Sequence, residues 1–321
     1  MTVLSDERWI WDRYWHFDRI ASCFDGAGEH NYDDSIARGW RAFFAALPPG
    51  ARILDLCTGN GAVALLAAEA GGQVVAVDQA AIDPTAYVTR HRDALAKIDF
   101  RPGTAVEALP FPDSSFGAVV SQYGVEYSDL PRTIAELGRV VAPGGQSRLV
   151  VHAAEGGVAA SAAQVIAEAD LLLDTIDLPG AAQRCFAAVT RAERTPDASD
   201  EQRRAAREAL AGFEAALQKT AQQLPGAVDK TMFRNPGAVL LDTFRRRGAF
   251  DLDQLLAKAA DVRTEILAHR GRLAALVAAA VTRDGLAELE RLLRGAGAQH
   301  VTTSDLTSGE SLAGYVVESR F

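Results

Sequence analysis

An apolar run breaks at two glycines and then resumes in the stretch RILDLCTGNGAVALLAA, from Arg52 to Ala68. This order predicts a strand, a tight loop and a helix, which together form the usual entrance to a nucleotide site in an α/β sheet. The loop departs from the dinucleotide pattern G-x-G-x-x-G, because Ala64 stands at the third glycine position. Asp55 also lies inside the apolar strand, where an unpaired charge is costly. The stretch therefore predicts a nucleotide site without naming its ligand.

The overall composition excludes several classes of protein. The chain has 321 residues, of which 48% are hydrophobic and 23% charged, and its formal net charge is -9. No basic face indicates a nucleic-acid partner. Three scattered cysteines without a C-x-x-C pair favour a reducing compartment. The acidic, aromatic N-terminus is not typical of a signal peptide, and no apolar run is long enough for a membrane span. We therefore expect a cytoplasmic protein.

The chain divides into four predicted segments. Residues 1–50 form a helical cover rich in aromatic side chains. Residues 51–156 alternate short apolar strands with helices, which is typical of a parallel sheet covered on both faces. Residues 157–283 place Ala, Leu, Arg and Glu at helical spacing without a convincing strand, and residues 284–321 return to helix and strand. The helical block is therefore interpreted as an insertion into an α/β domain.

Periodicity and turn residues predict the individual elements of the α/β part. The predicted strands before the insertion are 51–57, 73–78, 99–105, 116–123 and 147–153, and the predicted helices are 62–70, 86–98 and 130–141. Within the insertion, Asp197 or Ser199 is predicted to cap a long helix that begins near Glu201.

Two glycines and two aspartates carry the predicted ligand site. Gly59 and Gly61 allow the backbone to pass close to a ligand, and the helix after them presents free N–H groups. Asp55 either pairs with a cationic ligand or accepts N–H groups of the loop and shapes the turn, and both can hold at once. Asp78 closes the second strand, where a carboxylate can accept hydrogen bonds from a ribose diol. Such a residue occurs in sites for NAD and for S-adenosylmethionine (SAM).

The motifs further along resemble those of the class I SAM-dependent methyltransferases. GTAVEALPFPDSSFGAVVSQYGVEY (103–127) and AELGRVVAPGG (135–145) follow LDLCTGNG in the order found in the ubiquinone/menaquinone-biosynthesis branch. The resemblance covers about 51–155, extends loosely to 16–50 and resumes at about 286–321. It implies a Rossmann-like class I methyltransferase sheet, mostly parallel with an antiparallel last strand, and an α-helical insertion between strands five and six. It also implies SAM as the cofactor.

Two departures from the family pattern bear on the ligands. Thr104 stands where the family often has an acidic residue near the adenine amino group, so adenine contact is assigned to backbone N–H groups of Ala105 or Val106. The block at 157–283 has no counterpart in the quinone-pathway enzymes and argues against a quinone acceptor. The cofactor-binding residues that the resemblance implies are Asp55, Cys57, Thr58, Gly59, Gly61, Asp78, Gln79, Thr104, Ala105, Val106, Ser121 and Gln122.

Methyl transfer from a sulfonium requires a collinear nucleophile and exclusion of water, and a base only when the nucleophile must lose a proton. Tyr123, Glu126 and His152 are the predicted catalytic residues, because fold analogy puts them at the carboxyl end of the sheet. The alternatives are a solvated helix start for Glu126 and a surface or satisfied position for His152. No histidine has metal-ligand spacing, so no metal site is predicted.

Aromatic residues near the N-terminus allow two interpretations. The stripe of Trp9, Trp11, Tyr14, Trp15 and Phe17 is interpreted as helix-to-core packing rather than as a substrate cage. Beyond it, His30 and Tyr32 are candidates for a lid over SAM.

The leading hypothesis is a SAM-dependent methyltransferase that acts on a small-molecule or peptide acceptor, with O-methylation favoured over N- or C-methylation. An NAD-dependent oxidoreductase is an alternative, which Asp55 and the motifs at 103–145 disfavour. A non-catalytic SAM-binding scaffold protein is the other alternative. The helical insertion is expected to be a lid over the acceptor pocket or the interface of a homodimer.

Overall fold

The computed structural model describes residues 8–21, 31, 34–224 and 236–321. The candidate lid residues His30 and Tyr32 lie outside these ranges. The chain divides into two compact units, one formed by Met1–Ala160 with Ala275–Phe321 and the other by Ser161–Ala274. Among the described residues, no helix combines the length and apolar character that crossing a membrane requires.

Within the described ranges, seven strands form one mixed sheet in the first unit. They are β1 Arg52–Leu56, β2 Gln73–Asp78, β3 Asp99–Pro102, β4 Phe116–Gln122, β5 Val141–His152, β6 His300–Ser308 and β7 Ser311–Arg320. Their spatial order is β3-β2-β1-β4-β5-β7-β6. Strands β1 to β5 pair in parallel, whereas β7 runs antiparallel to β5 and β6. The predicted mostly parallel sheet with an antiparallel last strand is confirmed.

Helices connect the parallel strands and, within the described ranges, make up most of the chain between β5 and β6. They are α1 Arg8–Trp15, α2 Asp34–Ala45, α3 Ala62–Glu69, α4 Pro84–Tyr87, α5 Arg92–Leu95, α6 Leu130–Val140, α7 Gly157–Asp170, α8 Leu178–Arg194, α9 Asp200–Gln223, α10 Pro236–Arg245, α11 Leu252–Ala279 and α12 Arg283–Gly295. The predicted helical insertion between strands five and six is therefore present. Ser199 caps α9 in a capping box with Gln202, as one of the two predicted caps.

Side chains alternate between the two faces of the sheet and divide the core of the first unit into two layers. Ile53 of β1 packs on one face with Trp40 and Phe44 of α2 and with the apolar side of α3. Leu54 and its neighbours on the other face pack against α6 and α12. Because β1, β2 and β4 are buried on both faces, their sequences are continuous apolar runs.

Three predicted elements differ from the structure. The strand predicted at 99–105 ends at Pro102. The helix predicted at 86–98 is wrong: α4 ends at Tyr87, Val88 is extended, and α5 begins after His91, which has the left-handed φ of 61°. Strand five begins at Val141, earlier than predicted, and its register to β4 shifts between Phe116 and Ala118. The apolar periodicity of each segment was compatible with a longer helix or a shorter strand, so the backbone pairing decided the bounds.

The second unit has a helical core of its own. Phe186 of α8 stacks on Phe244 of α10 with ring centroids 5.8 Å apart and meets Phe213 of α9 edge-on at 6.0 Å. Phe186 and Phe213 are fully buried, in a cluster that includes leucines of α8, α10 and α11.

Phe186→Ala is expected to lower the free energy of unfolding of the second unit by about 4 kcal/mol, because the lost ring leaves a cavity between three helices. Urea denaturation followed by far-ultraviolet circular dichroism measures the change. Val239→Ala is the control, since Val239 is 43% exposed on α10 and its truncation is expected to change stability by under about 0.5 kcal/mol. Equal effects of the two substitutions would contradict a core built on Phe186.

Candidate functional site

The loop after β1 is shaped by a buried carboxylate. Asp55 is 1% exposed and accepts a hydrogen bond from the hydroxyl of Thr58 at 2.6 Å. It also accepts the main-chain N–H of Ala64, in the first turn of α3. Burial raises the pKa of Asp55 to about 7, against the lowering effect of these hydrogen bonds. The turn-shaping role expected for Asp55 is therefore present in the structure.

A second carboxylate joins the ends of two adjacent strands. Asp78 Oδ2 accepts the main-chain N–H of Gly59 at 2.8 Å, and its Oδ1 accepts that of Ala80 at 2.8 Å. Burial raises the pKa of Asp78 to about 6. The main-chain N–H of Gln79 also bonds to this carboxylate. Its two oxygens together accept up to about four hydrogen bonds, so the carboxylate keeps capacity for a ligand hydroxyl.

An open pocket lies at the carboxyl ends of β1, β2 and β4. Its empty space, which includes the open solvent at its mouth, is about 680 Å³. Five of the predicted site residues line it, namely Cys57, Asp78, Gln79, Val106 and Tyr123. The structure therefore brings together residues from four separate stretches of the chain, because parallel strands end at the same edge of the sheet.

Other predicted site residues lie around the pocket without lining it. Gln122 is 7% exposed and accepts a short hydrogen bond from the indole N–H of Trp40. Ser121 is fully buried and donates to the main-chain oxygen of Leu56 at 2.9 Å, which ties β4 to β1. Thr104 donates its main-chain N–H to the main-chain oxygen of Asp78 at 2.9 Å. These three residues support the edge of the sheet instead of facing the pocket.

The aromatic stripe of α1 corrects one interpretation. Tyr14 is buried, but Trp9 is 43% and Phe17 is 47% exposed. Trp11 and Trp15 line the pocket, where Trp11 also meets Tyr127 edge-on at 5.2 Å. Core packing is therefore wrong for Trp11 and Trp15. Their spacing of four residues, which places both on one face of a helix, was the signal available in the sequence.

The pocket includes further residues that sequence reasoning did not assign to the site. They are Arg8, Trp11, Trp15, Ala80, Glu107, Gly124 and Ser128. The Glu107 carboxylate accepts the main-chain N–H of Asp129 at 3.1 Å, which connects the chain after β3 to the start of α6. These residues follow no recognisable short motif, and only the folded chain collects them.

The backbone is strained where β1 and β4 end. Cys57 and Tyr123 both have a left-handed backbone φ of 54°, which residues other than glycine rarely adopt. A Cβ atom added at Gly124 would overlap the Cβ of Cys57, so only glycine fits there. Burial, with the nearby charge of Asp78, holds the pKa of the Cys57 thiol well above its usual range. This thiol stays neutral and is not an activated nucleophile.

The three predicted catalytic residues form one cluster, in two layers. Glu126 Oε1 accepts the main-chain N–H of His152 at 3.0 Å and lies 2.8 Å from its Nδ1. A carboxylate only accepts hydrogen bonds, so Nδ1 carries the proton. Tyr123 stacks on the imidazole with ring centroids 4.1 Å apart. Tyr123 lines the pocket, whereas His152 is 1% exposed and lies behind it, so His152 occupies the satisfied position that was the alternative to direct contact with substrate.

The described residues contain no group of three His, Cys, Asp or Glu side chains arranged to hold a metal ion. The arrangement at the sheet edge offers a buried and a partly buried carboxylate, a glycine loop and an aromatic wall. Together with the Rossmann-like sheet, these features define an α/β domain with a nucleoside-type site.

Comparison with known proteins shows what this part of the chain is similar to. Residues 53–145 match a family model described as a methyltransferase domain. The match begins in β1 and ends in β5, so it contains the glycine loop, Asp78 and Tyr123.

Three relatives show how far the likeness extends. A 2-phytyl-1,4-naphtoquinone methyltransferase of Synechococcus elongatus is 33% identical over 147 residues, which are 42% of this chain and 60% of that protein. The ubiquinone/menaquinone biosynthesis C-methyltransferase UbiE of Xanthomonas campestris is 36% identical, over 36% of this chain and 49% of that protein. A demethylmenaquinone methyltransferase of Thermus thermophilus is 42% identical, over 31% of this chain and 46% of that protein. The chain thus spans 46% to 60% of the length of these relatives.

Proposed function

We propose that this protein binds SAM at the carboxyl ends of β1, β2 and β4 and transfers its methyl group to a small-molecule or peptide acceptor. The observation that carries the proposal is the pair of carboxylates beside the glycine loop, the buried Asp55 and the partly buried Asp78. Burial raises the pKa of both groups, which favours a ligand that brings positive charge close to them. The methyltransferase domain match at residues 53–145 supports the same ligand.

The residues present fit such a ligand. Asp78 would accept hydrogen bonds from the ribose diol, beside Gln79 at the end of β2. Val106 offers an apolar surface to the adenine ring. The bound donor supplies a sulfonium-linked methyl group, and the chain's own contribution is to orient the acceptor and keep water out.

Tyr123 is the predicted catalytic residue that lines the pocket, and we assign it the contact with the acceptor. His152 and Glu126 act through it as positioning residues, since the imidazole stacks on the Tyr123 ring and the carboxylate fixes the imidazole. This two-layer arrangement holds Tyr123 in the strained backbone conformation at the end of β4.

For the acceptor we infer a planar ring that bears a hydroxyl group, methylated on oxygen. Trp11, Tyr123 and Tyr127 give the pocket an aromatic wall, which favours a flat partner. The Glu107 carboxylate lines the same pocket and can accept a hydrogen bond from the acceptor hydroxyl. Relatives named for quinone methylation also act on flat rings, although UbiE is named a C-methyltransferase. A lid or homodimer role for the helical insertion stays a prediction.

Binding and turnover need separate tests. Calorimetric titration with SAM, S-adenosylhomocysteine and NAD is expected to show binding of the first two and no binding of NAD. Binding of NAD alone would overturn the proposal in favour of an oxidoreductase. Transfer of a labelled methyl group from SAM is then measured with phenols, catechols, amines and short peptides. Tight SAM binding without transfer to any acceptor would indicate a scaffold protein instead of an enzyme.

SAM binding at pH 6.5 is expected to release up to about one proton. At this pH Asp55, with its pKa of about 7, holds a proton in the free protein, and so does a smaller share of Asp78. A nearby positive charge lowers both pKa values, so protons leave on binding and the affinity rises between pH 6 and pH 8. Calorimetry in buffers of different ionisation enthalpy counts the protons.

The matched variant for proton release is Asp55→Asn, which keeps the shape of the side chain but cannot titrate. Its proton release at pH 6.5 is expected to fall by more than half, because Asp55 holds most of the protons at that pH. Wild-type release is expected to vanish at pH 8.5, where both carboxyls are already ionised. Proton uptake on binding would contradict a cationic ligand beside these carboxyls.

A further inference from the structure

The side chain between the two loop glycines reaches back to a distant part of the chain. Asn60 is fully buried, and its amide nitrogen donates to the main-chain oxygens of Trp15 at 3.0 Å and Arg19 at 2.7 Å. The oxygen of Phe17 lies 3.5 Å from the same nitrogen. Three carbonyls of the turn that follows α1 therefore converge on one carboxamide of the glycine loop. Buried hydrogen bonds of this kind define one geometry, because breaking them leaves polar groups away from water.

This attachment places one particular side chain against the loop. The Trp15 indole lies so close to Gly59 that a Cβ atom at position 59 would overlap its ring carbons. Trp15 also lines the pocket together with Asp78, whose carboxylate accepts the N–H of Gly59. The indole thus forms a wall on the side of the glycine loop where the proposed donor lies.

Additional contacts attach the same segment to the loop after β2. Asp12 accepts the main-chain N–H of Ala81 at 2.7 Å, and His16 Nε2 lies 3.0 Å from the oxygen of the same residue. These contacts are exposed to solvent, whereas Asn60 is fully buried. Exposed polar contacts contribute less than buried ones, so Asn60 is the contact that decides where Trp15 lies.

We propose that Asn60 is a positioning residue for the donor and that Trp15, held by it, forms part of the donor-binding surface over Gly59. The inference rests on the proposed SAM function and deepens it, since it adds a residue of the N-terminal segment to the donor site. A flat indole suits both the adenine ring and the cationic sulfonium of such a ligand.

The test compares Asn60→Asp, Trp15→Ala and the double variant with wild type. Asn60→Asp keeps the size of the side chain but replaces the donating NH₂ with an oxygen that faces three carbonyl oxygens. Each single variant is expected to raise the Kd for S-adenosylhomocysteine about tenfold. The double variant is expected to lose no more affinity for S-adenosylhomocysteine than the weaker-binding single variant does. The reason is that both changes remove the same indole surface from the donor site. Gln73→Glu, an equivalent change at an exposed position of β2, is the control and should bind as wild type.

A second measurement needs no ligand. Hydrogen exchange of the main-chain N–H groups in residues 8–21 is expected to speed up at least about tenfold in Asn60→Asp, with β1 and β2 unchanged. Trp15→Phe should restore most of the affinity that Trp15→Ala loses, which a purely structural role of the loop would not produce. If Asn60→Asp fails to fold, the Trp15 variants still test the wall.

Several results would overturn the inference. Unchanged exchange in residues 8–21 of Asn60→Asp would show that Asn60 does not hold the segment. Unchanged Kd in Trp15→Ala would show that the indole does not contact the donor, and additive losses in the double variant would show two separate effects. If wild type itself binds neither SAM nor S-adenosylhomocysteine, the proposed function fails, whereas the exchange experiment still decides the role of Asn60 in holding the segment.

Discussion

Asp78→Asn is expected to weaken SAM binding at least about a hundredfold while the chain stays folded. The carboxylate accepts the N–H groups of Gly59 and Ala80 with different oxygens. In asparagine one oxygen becomes an NH₂ group, so one of these N–H groups faces another donor. The same change removes an acceptor for the ribose diol. Two charge-assisted hydrogen bonds at about 1.5 kcal/mol each correspond to a loss of this size.

The measurement for Asp78→Asn is the Kd for SAM and for S-adenosylhomocysteine by calorimetry, with urea denaturation to confirm the fold. Asp99→Asn is the matched control, because Asp99 lies at the start of the adjacent strand β3 and its exposed carboxylate pairs only with Arg101 at 2.8 Å among the contacts of the described chain. The control is expected to bind SAM within about twofold of wild type. A Kd for Asp78→Asn within threefold of wild type would rule out this carboxylate as the ribose acceptor.

His152→Ala is expected to lower the free energy of unfolding by about 3 kcal/mol and the turnover about a hundredfold. The buried Glu126 carboxylate would lose the Nδ1–H group that lies 2.8 Å away, which leaves a buried charge short of a partner. Tyr123 would lose the ring on which it stacks, and a displaced contact residue reduces the rate strongly. The donor pocket keeps its lining, so the Kd for S-adenosylhomocysteine is expected to stay within about twofold.

His152→Asn separates the two effects, because its side-chain NH₂ occupies nearly the place of Nδ1–H but provides no ring. This variant is expected to recover most of the stability and little of the turnover, measured by denaturation and by labelled-methyl transfer. His300→Ala on the exposed start of β6 is the control and is expected to change neither. If His152→Asn turned over at the wild-type rate, the imidazole would contribute to the stability of the fold but not to catalysis.

The sheet and the position of the donor site could be predicted because they depend on local patterns. Continuous apolar runs such as QVVAVD leave few choices other than a strand buried on both faces. Strands connected by helices run parallel, so their carboxyl ends, with Asp55 and Asp78, meet at one edge. The bounds of short helices were less predictable: His91 adopts a left-handed φ that interrupts an otherwise helical pattern.

The side chains that complete the site could not be predicted from such patterns. Gln122 was expected at the donor, yet its partner is Trp40, which lies 82 residues earlier in the chain. His152 was predicted to be catalytic, yet it lies behind the Tyr123 ring that lines the pocket. Each outcome depends on which of several polar or aromatic side chains packs at that position. Those side chains come from segments that meet only in the folded chain.

The sequence by itself determined the parallel sheet, its antiparallel last strand, the glycine loop and the two carboxylates beside it. The parallel sheet, the loop and the carboxylates follow from hydrophobic periodicity and from residues that occupy strand ends, both of which act over a few neighbouring positions. The antiparallel last strand was implied by the resemblance to the class I methyltransferases. Only the tertiary structure decided that Asn60 holds the turn after α1, that Trp15 covers Gly59 and that Glu126 supports His152 behind Tyr123. The physical reason is that a side chain's hydrogen-bond partner is set by long-range packing, whereas periodicity specifies only which face of an element is buried.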